Sequence, residues 1–360
     1  MIKFLQLTLG EDREAVEAAI ARVVERGWYI LGPELEAFER EFAAASGAAY
    51  AIGVNTGTDA LALALRAVGV GPGDEVITSP LSAAYSALAI VMAGARPVFA
   101  DIDPQRLTLD AGAAAAAVTS RTAALMPVHL YGQPADMRGL AGVATRHSLA
   151  IVEDCCQAHL ATCDGRPVGS FGAAGAFSFY PTKNLGALGD AGAIVTNDAA
   201  TAARLKRIRN GGQTDRYRHE ELGVNSRLDE MQAAILRARL PFLPAWTNTR
   251  RALAGAYRRG LDGAAGITVP PQLDAGHVYH LFPILTAARD EFQARLRAEG
   301  IDTLIHYPIP IPHQAAMAGQ EPAECPVATR VCRQVVSLPL HPGLEPAAID
   351  EVVRAVRNTG

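Results

Sequence analysis

"AFSFYPTKNLGALGDAGAIVTND", residues 176–198, decides how the rest of the chain is read. Two apolar runs, 174–180 and 191–197, flank a glycine-studded turn, and one lysine, Lys183, sits just past the first run. Short apolar runs bounded by Pro, Gly and Asn read as strands, so the lysine lies where a strand hands over to a loop. It is also scarce: of 33 lysines and arginines only Lys3, Lys183 and Lys206 are lysines. Lys3 falls in an N-terminal stretch, and Lys206, in "RLKRIRN" (204–210), reads as part of a solvated helix face. Arginine cannot replace lysine where an amine must lose a proton and attack a carbonyl. Lys183 is therefore either an ordinary loop lysine or a nucleophile, and its neighbours decide.

Five further runs precede it: "YAIGV" (50–54), "DEVITS" (74–79), "RPVFADI" (96–102), "TAALMPVHL" (122–130) and "LAIVED" (149–154), with helical stretches between them. This alternation predicts an α/β fold, a mostly parallel seven-stranded sheet flanked by helices with right-handed crossovers. Ligands gather beyond the carboxyl ends of such strands. Residues there include Asn55 to Thr58, Ser79, Asp101, His129, Asp154, Gln157, Ser178 and Lys183.

Before the sheet, two amphipathic helices joined by "WYILGP" are expected within a helical segment, 1–47. After about residue 240 the texture changes to "LPFLPAWTNTR", a helix-like "RALAGAYRRGL" and the Pro-rich "IHYPIPIPHQ". This places a large domain over 1–240 and a smaller C-terminal α+β domain over 241–360. A hydrophobic content of 49%, charged content of 19% and net charge of −4 describe a compact chain without the basic excess that nucleic-acid binding needs. The apolar run 83–95 is shorter than the about 20 residues of a membrane span and reads as a buried helix. The N-terminus turns acidic before a signal-peptide core develops, so a cytoplasmic location is expected. Five cysteines form no disulfide framework. Zinc on Cys155, Cys156, His159 and Cys163 competes with small buried thiols, and adjacent cysteines point apart.

"NTGTDAL" (55–61) sets Gly57 and Thr58 at a helix N-terminus, where free N–H groups and the helix dipole suit a phosphate; a plain cap by Thr58 accounts for it equally well. "IVEDCCQAH" (151–159) ends a strand on Glu153 and Asp154, and a carboxylate there, taken alone, is more often structural, capping or ion-paired, than functional. Taken with Lys183 the set acquires a chemical reading. Pyridoxal phosphate needs a lysine for covalent attachment, an acid beside its pyridinium nitrogen and donors for its phosphate. Lys183, Asp154, Thr58 and Ser178 supply these at one predicted sheet edge.

The motifs "GVNTGTDALALALRA" (53–67), "VEDCCQAH" (152–159), "FSFYPTKNLGALGDAGAIVTND" (177–198) and "GVNSRLDEMQAAIL" (223–236) resemble the successive signatures of the DegT-type sugar aminotransferases. The likeness runs from "YILGPELEAFEREFA" (29–43) to "SLPLHPGL" (337–344). It implies the fold-type-I pyridoxal phosphate architecture and a homodimer with shared active sites. By this resemblance Lys183 bonds to the cofactor, Asp154 pairs with its ring nitrogen, Gln157 lies near its phenolic oxygen, and Gly57, Thr58 and Ser178 hold its phosphate. Asn225 matches an asparagine that reaches the phosphate from a neighbouring subunit. The implied reaction moves an amino group from an amino acid, glutamate in most relatives, to a nucleotide-linked ketosugar. "WYILGPE" and "RHEELGVNSRLDE" resemble members acting at C3 of a 6-deoxy sugar.

Two departures bear on substrate. Ala83 stands near the place of a stacking aromatic, with Tyr85 two residues on as the substitute; Leu160 replaces a glycine and is expected to narrow the site near His159. Tyr307 and His313 resemble a segment near the sugar, or belong to a rigid Pro-rich connection. His129 is either a ligand contact or a buried structural histidine, and Arg227 is a candidate for the donor carboxylate or a packing residue. Other readings are a dehydratase of the same fold, opposed by Lys183 where those enzymes carry histidine; a regulatory protein that binds without turnover, opposed by the intact Lys183 and Asp154; and an aminotransferase of simple aldehydes or ketones.

Overall fold

The computed structural model describes residues 1–318 and 324–358. All seven apolar runs form strands: β1 Tyr50–Val54, β2 Glu75–Thr78, β3 Arg96–Phe99, β4 Thr122–Met126, β5 Ala150–Asp154, β6 Ala174–Ser178 and β7 Gly192–Thr196. They build one sheet in the order β1-β7-β6-β5-β4-β2-β3. Pairs from β6 through β5, β4 and β2 to β3 are parallel, whereas β7 runs antiparallel to both β6 and β1. The Lys183 loop between β6 and β7 holds no helix to carry the chain across the sheet, and β7 returns antiparallel beside β6.

Period-two alternation sorts the strand side chains between two cores. Ile52, Val54, Val152, Ala174, Ala176 and Ile194 face one cluster with helix α3, Gly57–Ala67, whose Leu61, Leu63 and Leu65 are buried. Ala51, Phe177, Ala193 and Val195 face the other, beneath the helix Pro33–Ala45. As expected, two helices precede the sheet: α1 Arg13–Arg26 and α2 Pro33–Ala45. Phe42 of α2 meets Phe177 and Phe179 edge-on, each with ring centroids 5.1 Å apart. Burying each such ring is worth about 1.5–3 kcal/mol, so this aromatic wedge fixes the end of β6 from which the lysine turn springs.

The run 83–95 gives helix α4, Tyr85–Met92, but it is not buried all round: Tyr85, Val91 and Met92 are exposed while Ala87, Ala89 and Ile90 are buried. The prolines of "LPFLPAWTNTR" do not break the chain as the texture suggested. A 3₁₀ turn, Leu240–Phe242, leads straight into the helix Leu243–Leu261, with proline in its first turn, where no intrahelical N–H is needed. That helix packs with helices Arg289–Ala298 and Pro346–Asn358 around an antiparallel pair, Phe282–Leu285 and Val335–Leu338, in a core of its own. Ile2 joins this second core by bridging Ile301. No helix among the described residues is long and apolar enough to cross a membrane.

Candidate active site

At the carboxyl edge of the sheet a cavity of about 610 Å³ is bounded by the first turn of α3, the start of α4, the ends of β5 and β6, the lysine turn and Tyr307. Asp154, the last residue of β5, is buried, and both its oxygens are occupied: Oδ2 accepts from Ser86 Oγ at 2.8 Å and Oδ1 from the backbone N–H of Cys156 at 3.1 Å. Ser82 continues the chain to Ser86 at 3.1 Å. The carboxylate is thus aimed before any ligand arrives. Gln157 is oriented in the same way, accepting from the Tyr131 N–H at 2.7 Å and donating to the Tyr307 hydroxyl at 3.1 Å.

Lys183 is tethered by its N–H to the Tyr180 carbonyl at 2.8 Å, while its Nζ makes no hydrogen bond or salt bridge among the described residues. Burial pulls its amine below the ordinary lysine range, and the nearby Cys156 and Asp154 oppose that only in part. A lowered lysine carries a larger neutral fraction, the form that attacks carbonyl carbon. Cys156 is pushed up by burial and by Asp154, which keeps its thiol protonated.

The cap at α3 is Thr56, not Thr58: Thr56 Oγ1 accepts from the Asp59 N–H at 3.0 Å. This leaves the Thr58 hydroxyl on the cavity wall and the N–H groups of Gly57 and Thr58 at the helix mouth, beside Ser178. A Cβ on Gly57 would lie 2.6 Å from Ser178 Cβ and 3.0 Å from Cys156 Sγ, so only glycine lets the helix end approach β6 this closely. A backbone cradle, two hydroxyls, a fixed carboxylate and an unpaired amine around one cavity fit pyridoxal phosphate in the nature of their donors.

A model of the DegT/DnrJ/EryC1/StrS aminotransferase family matches residues 11–357. The chain belongs to this family. It is 50% identical to the dTDP-3-amino-3,4,6-trideoxy-alpha-D-glucose transaminase of Streptomyces venezuelae, over 99% of this chain and 95% of that one. It is 45% identical to the UDP-N-acetyl-3-dehydro-alpha-D-glucosamine 3-aminotransferase of Acidithiobacillus ferrooxidans, over 96% and 94%. The crystal structure of S. venezuelae DesV in complex with a ketimine intermediate matches with a TM-score of 0.96 and 50% identity, covering 99% of this chain and 98% of that chain. The protein is an aminotransferase of a pyridoxal-phosphate-dependent family.

Set against the DegT/DnrJ/EryC1/StrS expectations, Gly57, Thr58, Tyr85, Asp154, Gln157, Ser178, Lys183 and Tyr307 all line the one cavity. Tyr85, 63% exposed at the start of α4, stands free to cover whatever occupies it. Five other candidates do not line it. His129 is fully buried behind β5, with Nε2 3.1 Å from Glu153 Oε2 and Nδ1 accepting from the Ala135 N–H at 3.0 Å, a structural histidine. His159 is fully buried between Phe177 and Phe179 and donates from Nε2 to the Ser178 carbonyl at 2.8 Å; burial first, and then Lys183, push it down to about 3. Arg227 is turned to Asn210 Oδ1 at 3.1 Å, and His313 is exposed on a separate groove beside Cys325. Asn225 is exposed and away from its own chain's cavity.

Leu160 does not narrow the site either. It sits in the left-handed region, φ 59°, with its side chain against the aromatic core, which explains why glycine suits this position. Nor does the cysteine set converge: Cys163 Sγ faces the Ala135 carbonyl and Cys156 Sγ the Ala176 carbonyl. Among the described residues the ligand-bearing trio within 4.8 Å is His129, Glu153 and Cys155, and Glu153 there already accepts three backbone N–H groups. Sequence reasoning missed Ser86, Ser82 and Tyr131, whose roles are to orient Asp154 and Gln157; nothing in their local sequence signals it.

Proposed function

We propose that this protein binds pyridoxal 5'-phosphate and transfers the amino group of an amino acid, L-glutamate, to a nucleotide-linked ketosugar, at C3 of a dTDP-3-keto-6-deoxyhexose. The observation that carries the reading is the convergence of unpaired Lys183 and doubly anchored Asp154 on one cavity. The sugar class is supported by the near-complete 50% likeness to a dTDP-3-amino sugar transaminase.

The cofactor supplies an electron sink for charge left on the donor's α-carbon. Lys183 Nζ would be the group that holds the cofactor covalently, and the same amine would serve as the base for the donor's α-proton. Asp154 would hold the proton of the ring nitrogen. The N–H groups of Gly57 and Thr58 with the hydroxyls of Thr58 and Ser178 would hold the phosphate, Gln157 would lie toward the ring hydroxyl, and Tyr85 would cover the ring. Asn225, exposed beside the exposed apolar Leu222 and Val224, would reach the phosphate held by a second copy in a homodimer with shared sites.

The test is the visible spectrum of the protein loaded with pyridoxal phosphate, before and after glutamate, beside Lys183→Ala. A band that bleaches with glutamate in the parent and not in Lys183→Ala, followed by amination of a dTDP-3-ketosugar, is the expected result. A band indifferent to Lys183→Ala refutes the assignment.

A further inference from the structure

One residue past the lysine, Asn184 is buried, and its side-chain amide is held at both ends. Nδ2 donates to the Val278 carbonyl at 3.1 Å, and Oδ1 lies 3.2 Å from His280 Nδ1. A carbonyl can only accept, so Val278 fixes which end of the amide faces it. Oδ1 is then left to His280, and because it too can only accept, the ring carries its proton on Nδ1. Burial first, then the charges of Lys183 and Arg250 and the neighbouring His306 and His159, hold the His280 imidazole well below the ordinary histidine range. The buried ring is therefore an uncharged Nδ1–H donor at neutral pH.

Both partners of Asn184 belong to one segment, 278–281, that is fastened on every side. Its side chains enter three cores: Val278 the one with the aromatic wedge, Tyr279 the second core, and Leu281 a third with Leu130 and Tyr131. Arg250, 4% exposed and without an ion pair among the described residues, donates from Nη1 to the carbonyls of Tyr279 and His280, each at 3.3 Å, and of Leu340 at 2.9 Å. On the other flank the Val278 N–H donates to the Gly132 carbonyl at 3.1 Å and the Leu281 N–H to that of Tyr131 at 3.4 Å. A Cβ on Gly132, φ 90°, would lie 2.9 Å from Val278 Cγ2 and 3.0 Å from the backbone nitrogens of Tyr279 and His280, so the two chains touch backbone to backbone. Tyr131 in turn orients Gln157 through its N–H. One segment thus braces two sides of the active-site cavity, Gln157 by way of Tyr131 and Lys183 by way of Asn184.

We propose that Asn184 and His280 are positioning residues for Lys183: the Nδ1–H of His280 fixes the Asn184 amide, and the amide fixes the turn that presents the lysine amine to the cavity. Neither side chain lines that cavity, so each acts through the lysine. The lysine's own backbone tether is a single bond, from its N–H to the Tyr180 carbonyl at 2.8 Å. A turn held only there is free to swing, and a displacement of about 1 Å at a reacting group costs about 100-fold in rate. The same anchor keeps water from the amine, and burial is what lowers its proton affinity against the opposing pull of Cys156 and Asp154. The inference rests on the reading of Lys183 as the group that holds the cofactor, and it deepens that reading.

A chain with three lysines makes the test direct. In apo-protein carrying 13C-lysine, the Lys183 signal is the one absent from Lys183→Ala, and its titration is followed by NMR. His280→Leu removes the donor but no charge, so movement of that titration reports the surroundings of the amine; the signal titrates at higher pH than in the parent. His280→Asn keeps an N–H donor at the place of Nδ1 and titrates with the parent. On protein loaded with pyridoxal phosphate, single-turnover bleaching at saturating glutamate slows about 10- to 100-fold in His280→Leu, while the half-saturating glutamate concentration stays within about threefold. His280→Asn restores the rate to within about threefold of the parent. An unmoved Lys183 titration in His280→Leu, an equal loss in His280→Asn, or a loss confined to the half-saturating concentration overturns the proposal. If His280→Leu does not fold, Asn184→Ser, too short to span from Val278 to His280, must show the same two changes. The ring 15N shifts of the parent decide independently of any variant, because a His280 proton on Nε2 at pH 7 also overturns it. A parent that glutamate does not bleach, with the Lys183 titration still moved in His280→Leu, refutes the proposed function and leaves the positioning role standing.

Discussion

Two glycine-to-alanine substitutions make the same covalent change with opposite expected signs. Gly142 lies inside the helix Met137–His147, exposed, with nothing within 4 Å of an added Cβ. Gly142→Ala therefore gains only helix propensity, about 0.5–1 kcal/mol. With about 2.1 cal/mol/K of unfolding entropy per residue over 360 residues, 1 kcal/mol corresponds to about 1.3 °C in Tm, so Gly142→Ala raises Tm by about 1 °C. Gly57→Ala meets Ser178 Cβ at 2.6 Å and the Ser178 Cα at 3.1 Å. Ser178 cannot yield, because β6 is held between β5 and β7, so the mouth of α3 must back away. Overpacking of this kind costs about 1–3 kcal/mol, which outweighs the propensity gain.

The larger effect falls on ligand. Withdrawing the Gly57 and Thr58 N–H groups from a phosphate forfeits charge-assisted hydrogen bonding worth about 1.5–3 kcal/mol, or about 10- to 100-fold in affinity. Titrating apo-protein with pyridoxal phosphate, followed by absorbance, measures it, with Tm of the apo-protein in parallel. Gly142→Ala binds as the parent does. A Gly57→Ala protein that binds cofactor within twofold of the parent would refute the cradle.

Burial holds His159 and His277 down to about 3 and His306 to about 4, and lowers His280 as well. Unfolded, each takes up a proton near pH 6.5, so their neutral burial contributes fully above that pH and is lost as pH falls toward 4; Tm should decline from pH 7 to pH 4.5, and a flat profile there contradicts the assignment. Leu160→Gly leaves kcat/KM for the sugar within about twofold, because relieving a left-handed leucine worth about 1–2 kcal/mol changes the core and not the cavity wall. A large gain in turnover of bulkier sugars would show that Leu160 does shape the site. Ser86→Ala removes the 2.8 Å donor from buried Asp154 and lowers Tm by about 2–4 °C, with weaker cofactor binding; calorimetry showing no change would mean that Ser82 or water replaces it.

The seven strands were legible because each is a short apolar run closed by turn residues, and period two alone determines which side chains enter which core. The cavity was legible for the related reason that strand ends carry the site: Asp154, Ser178 and Lys183 all lie just past an apolar run. What sequence could not give was register at single-residue resolution and the far partner. Thr56 and Thr58 are equally good capping residues two positions apart, and only the helix start chooses between them. Pro241 and Pro244 resemble a break until they fall in first turns. Arg250 is one arginine on a long helix, and its lack of a counter-ion is visible only when Tyr279, His280 and Leu340 are brought around it.

Glu153 and Asp154 show how little separates a structural carboxylate from a functional one. They are neighbours on β5, both buried, and their side chains leave opposite faces because the strand period is two. Glu153 points away from the cavity and fills its acceptor positions with the N–H groups of Gly169 at 2.7 Å, Phe171 at 2.7 Å and Gly172 at 2.9 Å, and with His129. It thereby ties the loop before β6 to the end of β5, which keeps Ser178 in register with Asp154. Asp154 receives only two donors and keeps an open side toward the cavity. Exchanging the pair's order in the sequence would keep the composition and both charges, yet it would leave three backbone N–H groups facing a shorter side chain and put the longer one in the cavity. The site depends on that parity as much as on the carboxylate itself.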